Sequence, residues 1–224
     1  MFPKSTIRVA VDAVVFAYRE KTLRVLLIKT VEGERALPGG FVRNGEGLSV
    51  AVARELKEEA GITMGFLEQL YTYGDNVNRD SRAQVISVAY WSLVKPVAVA
   101  SEQDSDANAA TWFDIGELPV LAYDHKVIVS DAIMRLQAKL TYQPIGFELL
   151  PDVFGFSDLE KLYETILQRD IDRRNFRRKV LGFGILSETG KTRSEGAGRP
   201  ATLYRFNEKR YQELVSEGYF FEIK

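Results

Sequence analysis

One stretch of this chain gathers the residue types that metal-assisted chemistry needs. Between Gly40 and Ile62 it carries Glu46, Arg54, Glu55, Glu58 and Glu59. On a helix, Glu55 and Glu59 are four apart and project from one face, with Glu58 on its edge, three from Glu55. Carboxylates this close repel one another and destabilise an isolated helix. A divalent cation removes that repulsion, and hard oxygen donors suit Mg2+ or Mn2+. Arg54 can pair with Glu46 across the preceding loop and hold it against the helix start. Gly39 and Gly40, after Leu37-Pro38, let the backbone turn sharply and approach a metal closely. A solvated acidic helix face explains a cluster such as KEEA, but not this many defined positions at this spacing.

The rest of the composition narrows the chemistry. The chain has no cysteine, which removes disulfides and thiolate metal sites and fits a reducing compartment. Its one histidine, His125, leaves oxygen ligands for any metal. Apolar residues make up 46% and charged residues 27%, the balance of a soluble globular protein. No apolar run reaches the roughly 18 residues that a membrane helix needs. Met1 to Ala10 lacks a basic start followed by an apolar core, so the expectation is no signal peptide and a cytoplasmic protein. Charge is uneven: from Arg169 to Arg210 there are 12 Lys/Arg against five Asp/Glu, within a chain of net charge −1. Such a block points to a local polyanion surface.

These residues need elements to hold them. Val9–Tyr18 and Thr22–Lys29 are β-branched runs around Arg19-Glu20-Lys21, the pattern of a hairpin. Leu37–Gly40 reads as a loop. The spacing predicts a helix over Ser49–Ala60, capped by Ser49 or a neighbour and ended by Gly61. Gly65–Tyr73, Gln84–Val94 and Thr111–Phe113 read as strands, with Gln84–Val94 apolar enough to be central. Ala122–Leu140 reads as a helix. A second unit follows a connection with a short strand at Phe147–Leu150. It offers helices at Leu159–Gln168 and Asp172–Leu181, strands at Ile185–Ser187 and Thr202–Phe206 around a basic loop, and a closing helix at Asn207–Gly218. Two helices and a ribbon with a charged loop make a winged helix-turn-helix layout. On its second helix Phe176 and Val180 supply a buried face, so Arg173, Arg174, Arg177 and Arg178, with Lys179, can point outward into a DNA groove. Lys191, Arg193 and Arg199 fall on the wing, where backbone or minor-groove contacts are natural.

Gly40, Glu46, Arg54, Glu55, Leu56, Glu58, Glu59, Gly61 and Ile62 fill every defined position of the Nudix box, G-x5-E-x7-R-E-U-x-E-E-x-G-U with U aliphatic, so the segment resembles a Nudix site. That resemblance implies an α/β/α sandwich with a mixed sheet, hydrolysis of a diphosphate linked to another group, and metal held by Glu55, Glu58, Glu59 and the carbonyl of Gly40. It assigns Glu46 and Arg54 to the catalytic set. An added base from a later loop could be Glu102, Asp104 or Asp106.

Beyond the box the chain is similar to a narrower group, the Nudix-related transcriptional regulators of NAD metabolism or sugar utilisation. The segments that carry this are YGDNVNRDSRAQVISVAY (73–90), NFRRK (175–179) and GRPATLYRF (198–206). The first implies contacts from Arg79, Asp80 and Arg82 to an ADP-ribose-type ligand, although a turn between strands reads equally well. The whole implies residues 1–145 as a Nudix domain and 146–224 as a DNA-binding domain, acting as a homodimer on an operator. The effector can be an ADP-ribose-like metabolite or, in the sugar-utilisation branch, a sugar. Many such regulators have a decayed box, whereas this chain keeps all three glutamates and Arg54. The competing expectation is an ADP-ribose pyrophosphatase with an accessory C-terminal domain.

Overall fold

The computed structural model describes residues 7–63, 65–95, 110–194, 200–219 and 221–223. Glu102, Asp104, Asp106 and Arg199 lie outside them. Packing divides the chain into two compact units. Among the described residues, the first runs to Met134, and the second runs from Arg135 and also takes in residues 18–22 and Lys95.

The first unit is built on strands β1 (Arg8–Arg19), β2 (Thr22–Lys29), β3 (Arg35–Ala36), β4 (Gly39–Phe41), β5 (Phe66–Tyr73), β6 (Val85–Val94) and β7 (Thr111–Asp114), with helix α1 (Leu48–Ala60) and the first ten residues of α2 (His125–Tyr142); the last two residues of β1, the first of β2 and the rest of α2 fall in the second unit. The β1–β2 hairpin turns at Glu20 and Lys21, both at positive φ (54° and 65°), the hand that matches strand twist. The sheet runs β3-β2-β1-β6-β5, with β4 added to β1 and β7 to β2. β1 and β6 run parallel, whereas β4 on β1, β3 and β7 on β2, and β5 on β6 run antiparallel, so the sheet is mixed. β6 lies between β1 and β5, which explains its nearly unbroken apolar run.

Both sheet faces are covered. Val11, Ala13, Val15 and Ala17 of β1 pack with Ala51, Val52 and Leu56 of α1. The alternate β1 residues Asp12, Val14 and Phe16 are also buried, and Asp12 meets His125 at the start of α2. The result is an α/β/α sandwich. α1 starts at Gly47, not at a side-chain cap, and Ser49 sits inside its first turn. Gly61 closes it at φ 64°, with its N–H and that of Ile62 returning to Lys57 and Leu56 carbonyls. The segment 37–40 is less loop-like than its Pro-Gly-Gly suggests, because β1 offers Gly39–Phe41 a free edge for pairing.

The second unit contains β8 (Phe154–Gly155), α3 (Phe156–Leu167), α4 (Arg173–Gly182), β9 (Leu186–Arg193), β10 (Ala201–Phe206) and α5 (Glu208–Ser216). The strand expected at Phe147–Leu150 is instead part of a 3-10 helix over Ile145–Leu149 that follows Pro144. Ile145, Phe147 and Leu149 mimic a period of two, yet Gly146 and Leu150, out of phase with them, are buried as well, so no one-sided strand forms. The true short strand, β8, pairs with β10 and makes the ribbon three-stranded, in the order β8-β10-β9. β9 also runs further than the sequence suggests, because Thr192 and Arg193 pair with Thr202 and Ala201. No helix among the described residues is long and apolar enough to cross a membrane.

Candidate functional site

The box residues meet at one end of α1. Arg54 Nε and Nη2 donate to Glu46 Oε1 and Oε2 at 2.7 and 2.9 Å, which pins the 41–47 loop to the helix. Arg54 Nη1 reaches Glu55 at 2.6 Å and Glu58 at 3.4 Å, and Nη2 also donates to the Phe41 carbonyl. Hydrogen bonds from Arg54 and from the Arg43 backbone hold the Glu46 carboxyl down to about 2, so it stays ionised as a fixed clamp. Arg43 supplies a further cation to Glu58 at 3.2 Å.

Glu59 behaves differently. Its Oε2 accepts the Gly39 N–H at 2.9 Å. Burial first, then the charges of Glu55, Asp12 and Glu58, push its carboxyl up to about 7 against that hydrogen bond. The glycines are required here. A Cβ on Gly40 would come within 2.7 Å of Glu55 Cδ, and one on Gly39 within 2.7 Å of Asp12 Oδ1.

Among the described residues no three acidic or imidazole side chains already stand as a cation cage. Glu55 and Glu58 are turned to Arg54, and Glu59 to the Gly39 amide. The donor set nonetheless fits a hard divalent ion. It is all carboxylate and carbonyl oxygen, drawn from adjacent turns of one helix and a glycine strand pressed against it. Glu59 is the member most short of positive charge.

The same strand ends open into a cleft of about 260 Å3, lined by Glu59, Gly39, Gly40, Arg79, Asp80 and Arg82 among others. Both arginines expected to meet ligand line this cleft, and both are already engaged by aspartates. Arg79 is buried; its Nε donates to both oxygens of Asp124 at 2.9 and 3.1 Å, and its Nη2 reaches Asp12 at 3.4 Å. Arg82 is more open, pairs with Asp80 at 2.8 Å, and lies over the rings of Phe41 and Tyr123. Asp80 also accepts the Arg82 backbone N–H at 2.9 Å, so it both shapes the turn and orients the guanidinium. Arg82 holds the Asp80 carboxyl below the usual range.

Sequence reasoning missed the floor of this cleft. The buried Asp12, Ser87 and His125 and the half-buried Asp124 form one network with Arg79. His125 Nδ1 accepts the Leu37 N–H at 2.9 Å, so the ring proton sits on Nε2, facing Asp12 at 3.4 Å. Burial raises the Asp12 carboxyl, but His125, Ser87 and Arg79 together outweigh it and keep the group below its ordinary value. The one signal available was an aspartate inside an otherwise apolar strand, VAVDAVVFA.

In the second unit, α4 presents the basic face. Asp172 caps it by accepting the Asn175 N–H at 3.0 Å. Phe176 and Val180 are buried, while Arg173, Arg174, Arg177 and Arg178 are exposed and Lys179 is half-buried. Lys191 and Arg193 are exposed on β9.

Comparison with known proteins gives this pairing a family. The NUDIX domain model matches residues 6–133, and the model of the NrtR DNA-binding winged helix domain matches residues 146–206. An ADPR responsive transcriptional repressor, NtrR, of Acinetobacter baylyi is 32% identical over 204 residues, 88% of this chain and 80% of that one. The chain belongs to the NrtR family of Nudix-related transcriptional regulators. The crystal structure of Shewanella oneidensis NrtR complexed with a 27mer DNA aligns with a TM-score of 0.79 at 31% identity, over 96% of this chain and 99% of that one. An ADP-ribose pyrophosphatase of Methanocaldococcus jannaschii is 39% identical over 127 residues, 55% of this chain and 71% of that one. This NrtR-family member is thus similar to an enzyme over its first domain and to regulators over most of its length.

Proposed function

We propose that this chain is a transcriptional repressor that binds double-stranded DNA through residues 146–224 and senses ADP-ribose or a related nucleotide-linked metabolite through residues 1–145. It works in the cytoplasm as a homodimer, since helix-turn-helix readers pair half-sites. The observation that carries this reading is the capped α4 with its arginines exposed opposite Phe176 and Val180. Arg173, Arg174, Arg177, Arg178, Lys179, Lys191, Arg193 and Arg199 are its candidate DNA residues, and Arg79, Asp80 and Arg82 its candidate ligand residues. Relief of repression is a two-state linkage: the ligand binds the DNA-free arrangement better than the DNA-bound one.

A second reading concerns turnover, and the paired Glu46–Arg54 clamp favours it. Glu55, Glu58, Glu59 and the Gly40 carbonyl are suited to hold Mg2+ or Mn2+. When bound, such an ion neutralises diphosphate charge and acidifies a water. The chain's own residues do the rest. Arg54 and Glu46 keep the loop fixed, Gly39 orients Glu59, Arg79 holds Asp12 and Asp124 in place beneath the cleft, and the more open Arg82 presents a cation to the diphosphate. We infer a bifunctional protein that senses and slowly consumes its ligand. A sugar effector leaves the glutamates without a use.

A gel-shift titration on the protein's own upstream DNA, with and without ADP-ribose at fixed salt, tests the repressor reading. The expected result is a specific shift reversed by ADP-ribose; no specific shift on any neighbouring promoter rejects it. AMP release from ADP-ribose with Mg2+ tests turnover, and inactivity of the parent across a panel of diphosphates rejects that part.

A further inference from the structure

We propose that the basic face of the winged-helix domain divides into a reading ridge, Arg174 and Arg178, and a brace in which Asp158 positions the wing through Arg193. This rests on the DNA-binding reading above and assigns separate tasks within its residues.

The ridge follows from helix geometry. Residues four apart on a helix lie on one face, and Arg174 and Arg178 fall opposite Phe176 and Val180, which are buried. Arg178 donates to Asn175 Oδ1 at 2.7 Å, a partner on its own helix. Neither arginine is tied to another element among the described residues. Their flanking neighbours are tied. Arg173 lies 3.6 Å from Glu164 of α3. Arg177 lies over the Phe156 ring, 4.5 Å from its centroid, and donates to the Tyr204 hydroxyl at 3.4 Å. Phe156 itself packs edge-on against Phe176 and Tyr204, so Arg177 caps an aromatic cluster of the domain core. A guanidinium placed over a ring contributes packing as well as charge.

The brace starts at the first turn of α3. Asp158 Oδ2 accepts the Gly155 N–H at 2.9 Å, and both Asp158 oxygens accept from Arg193 Nη2 at 2.9 Å. Arg193 ends β9, so this bond fixes the wing strand to a helix start. Gly155 leaves the room: a Cβ there would come within 3.0 Å of Arg193 Nη2. Arg193 is thus the anchor of the wing, and Lys191, exposed two residues earlier, is left to face phosphate.

The sign of one substitution separates positioning from charge. Asp158 is an acid in a domain that meets a polyanion, so electrostatics alone makes Asp158→Asn bind DNA more tightly. A positioning role makes it bind more weakly. The experiment selects duplexes from a random-sequence pool with the full-length parent, then measures affinity for the enriched duplex and a scrambled one. A parent that enriches no motif overturns the DNA-binding reading, and this inference with it. With a motif in hand, Arg174→Ala and Arg178→Ala should each lose about tenfold or more on the enriched duplex and less than about threefold on the scrambled one. Each should also relax the base preference at a defined position. Asp158→Asn and Arg193→Ala should weaken binding to both duplexes by similar factors, with the double variant no worse than either single one. Asp158→Glu, which keeps the pair, should stay near the parent. Thermal melting of each variant shows whether the fold is intact, and Arg193→Ala, on an exposed strand, serves should Asp158→Asn unfold. Tighter or unchanged binding by a folded Asp158→Asn overturns the positioning role, whatever Arg193→Ala does. Equal losses on both duplexes for Arg174→Ala and Arg178→Ala overturn the ridge.

Discussion

The cleft of the Nudix domain and the basic face of the winged helix both depend on arginine, and they use it in opposite ways. In and beside the cleft, Arg54 and Arg79 each sit within 3.4 Å of two or more carboxylates, and Arg79 is buried. Their positive charge is largely spent on holding acids, loops and helix starts in place. On α4, Arg174 and Arg178 stand exposed, and their charge faces outward. Buried, paired arginine sets geometry; exposed arginine is left for a partner. The wing shows both uses within a few residues, Arg193 held by Asp158 and Lys191 open.

The sharpest break of that comparison is to remove one arginine of each kind. Arg79→Ala leaves Asp12 and Asp124 facing each other without a cation, which should cost about 3–5 kcal/mol in urea unfolding. Arg174→Ala should change stability by no more than about 0.5 kcal/mol. Similar losses for the two would show that the contrast has no energetic content. Next in size is the catalytic prospect of the cleft. Glu59→Gln should lower Mg2+-dependent AMP release from ADP-ribose by about a hundredfold, about 2.7 kcal/mol in barrier, while the far-UV spectrum and melting stay near the parent. Gly40→Ala should cost about 1–3 kcal/mol, because its methyl meets the Glu55 carboxylate, and should impair turnover together with stability.

The smallest effect is a pH dependence. Arg82 holds the Asp80 carboxyl below its ordinary value in the folded chain. A depressed folded value means the stability from this pair is complete above the ordinary carboxylate range. It is lost as pH falls through the folded value. Arg82 is more than half exposed, so the pair is worth about 1 kcal/mol or less. Melting of Asp80→Asn between pH 2 and 6 should show a flatter acid limb than the parent. An unchanged limb would mean that Asp80 shapes the turn but does not titrate against Arg82.

Much of this molecule was legible in local patterns. The hairpin, the central β6, the glutamate helix with its Gly61 stop, and the Asp172 cap all follow from interactions between residues near in sequence, which spacing records directly. The Glu46–Arg54 pair, eight residues apart, belongs to the same class. What escaped was built from distant segments. The Asp12–Ser87–Arg79–Asp124–His125 network joins residues that are up to 113 positions apart, and no periodicity links them. The strand misplaced at 147–150 belongs here too, since a two-residue alternation cannot show that the out-of-phase Gly146 and Leu150 are also buried. The sequence by itself determined which side chains could hold a metal, face a polyanion or end a helix, because those are properties of residue type and short spacing. Only the tertiary structure decided which arginines are already bound by carboxylates and which remain open, because that depends on where separate strands and helices bring their charges together.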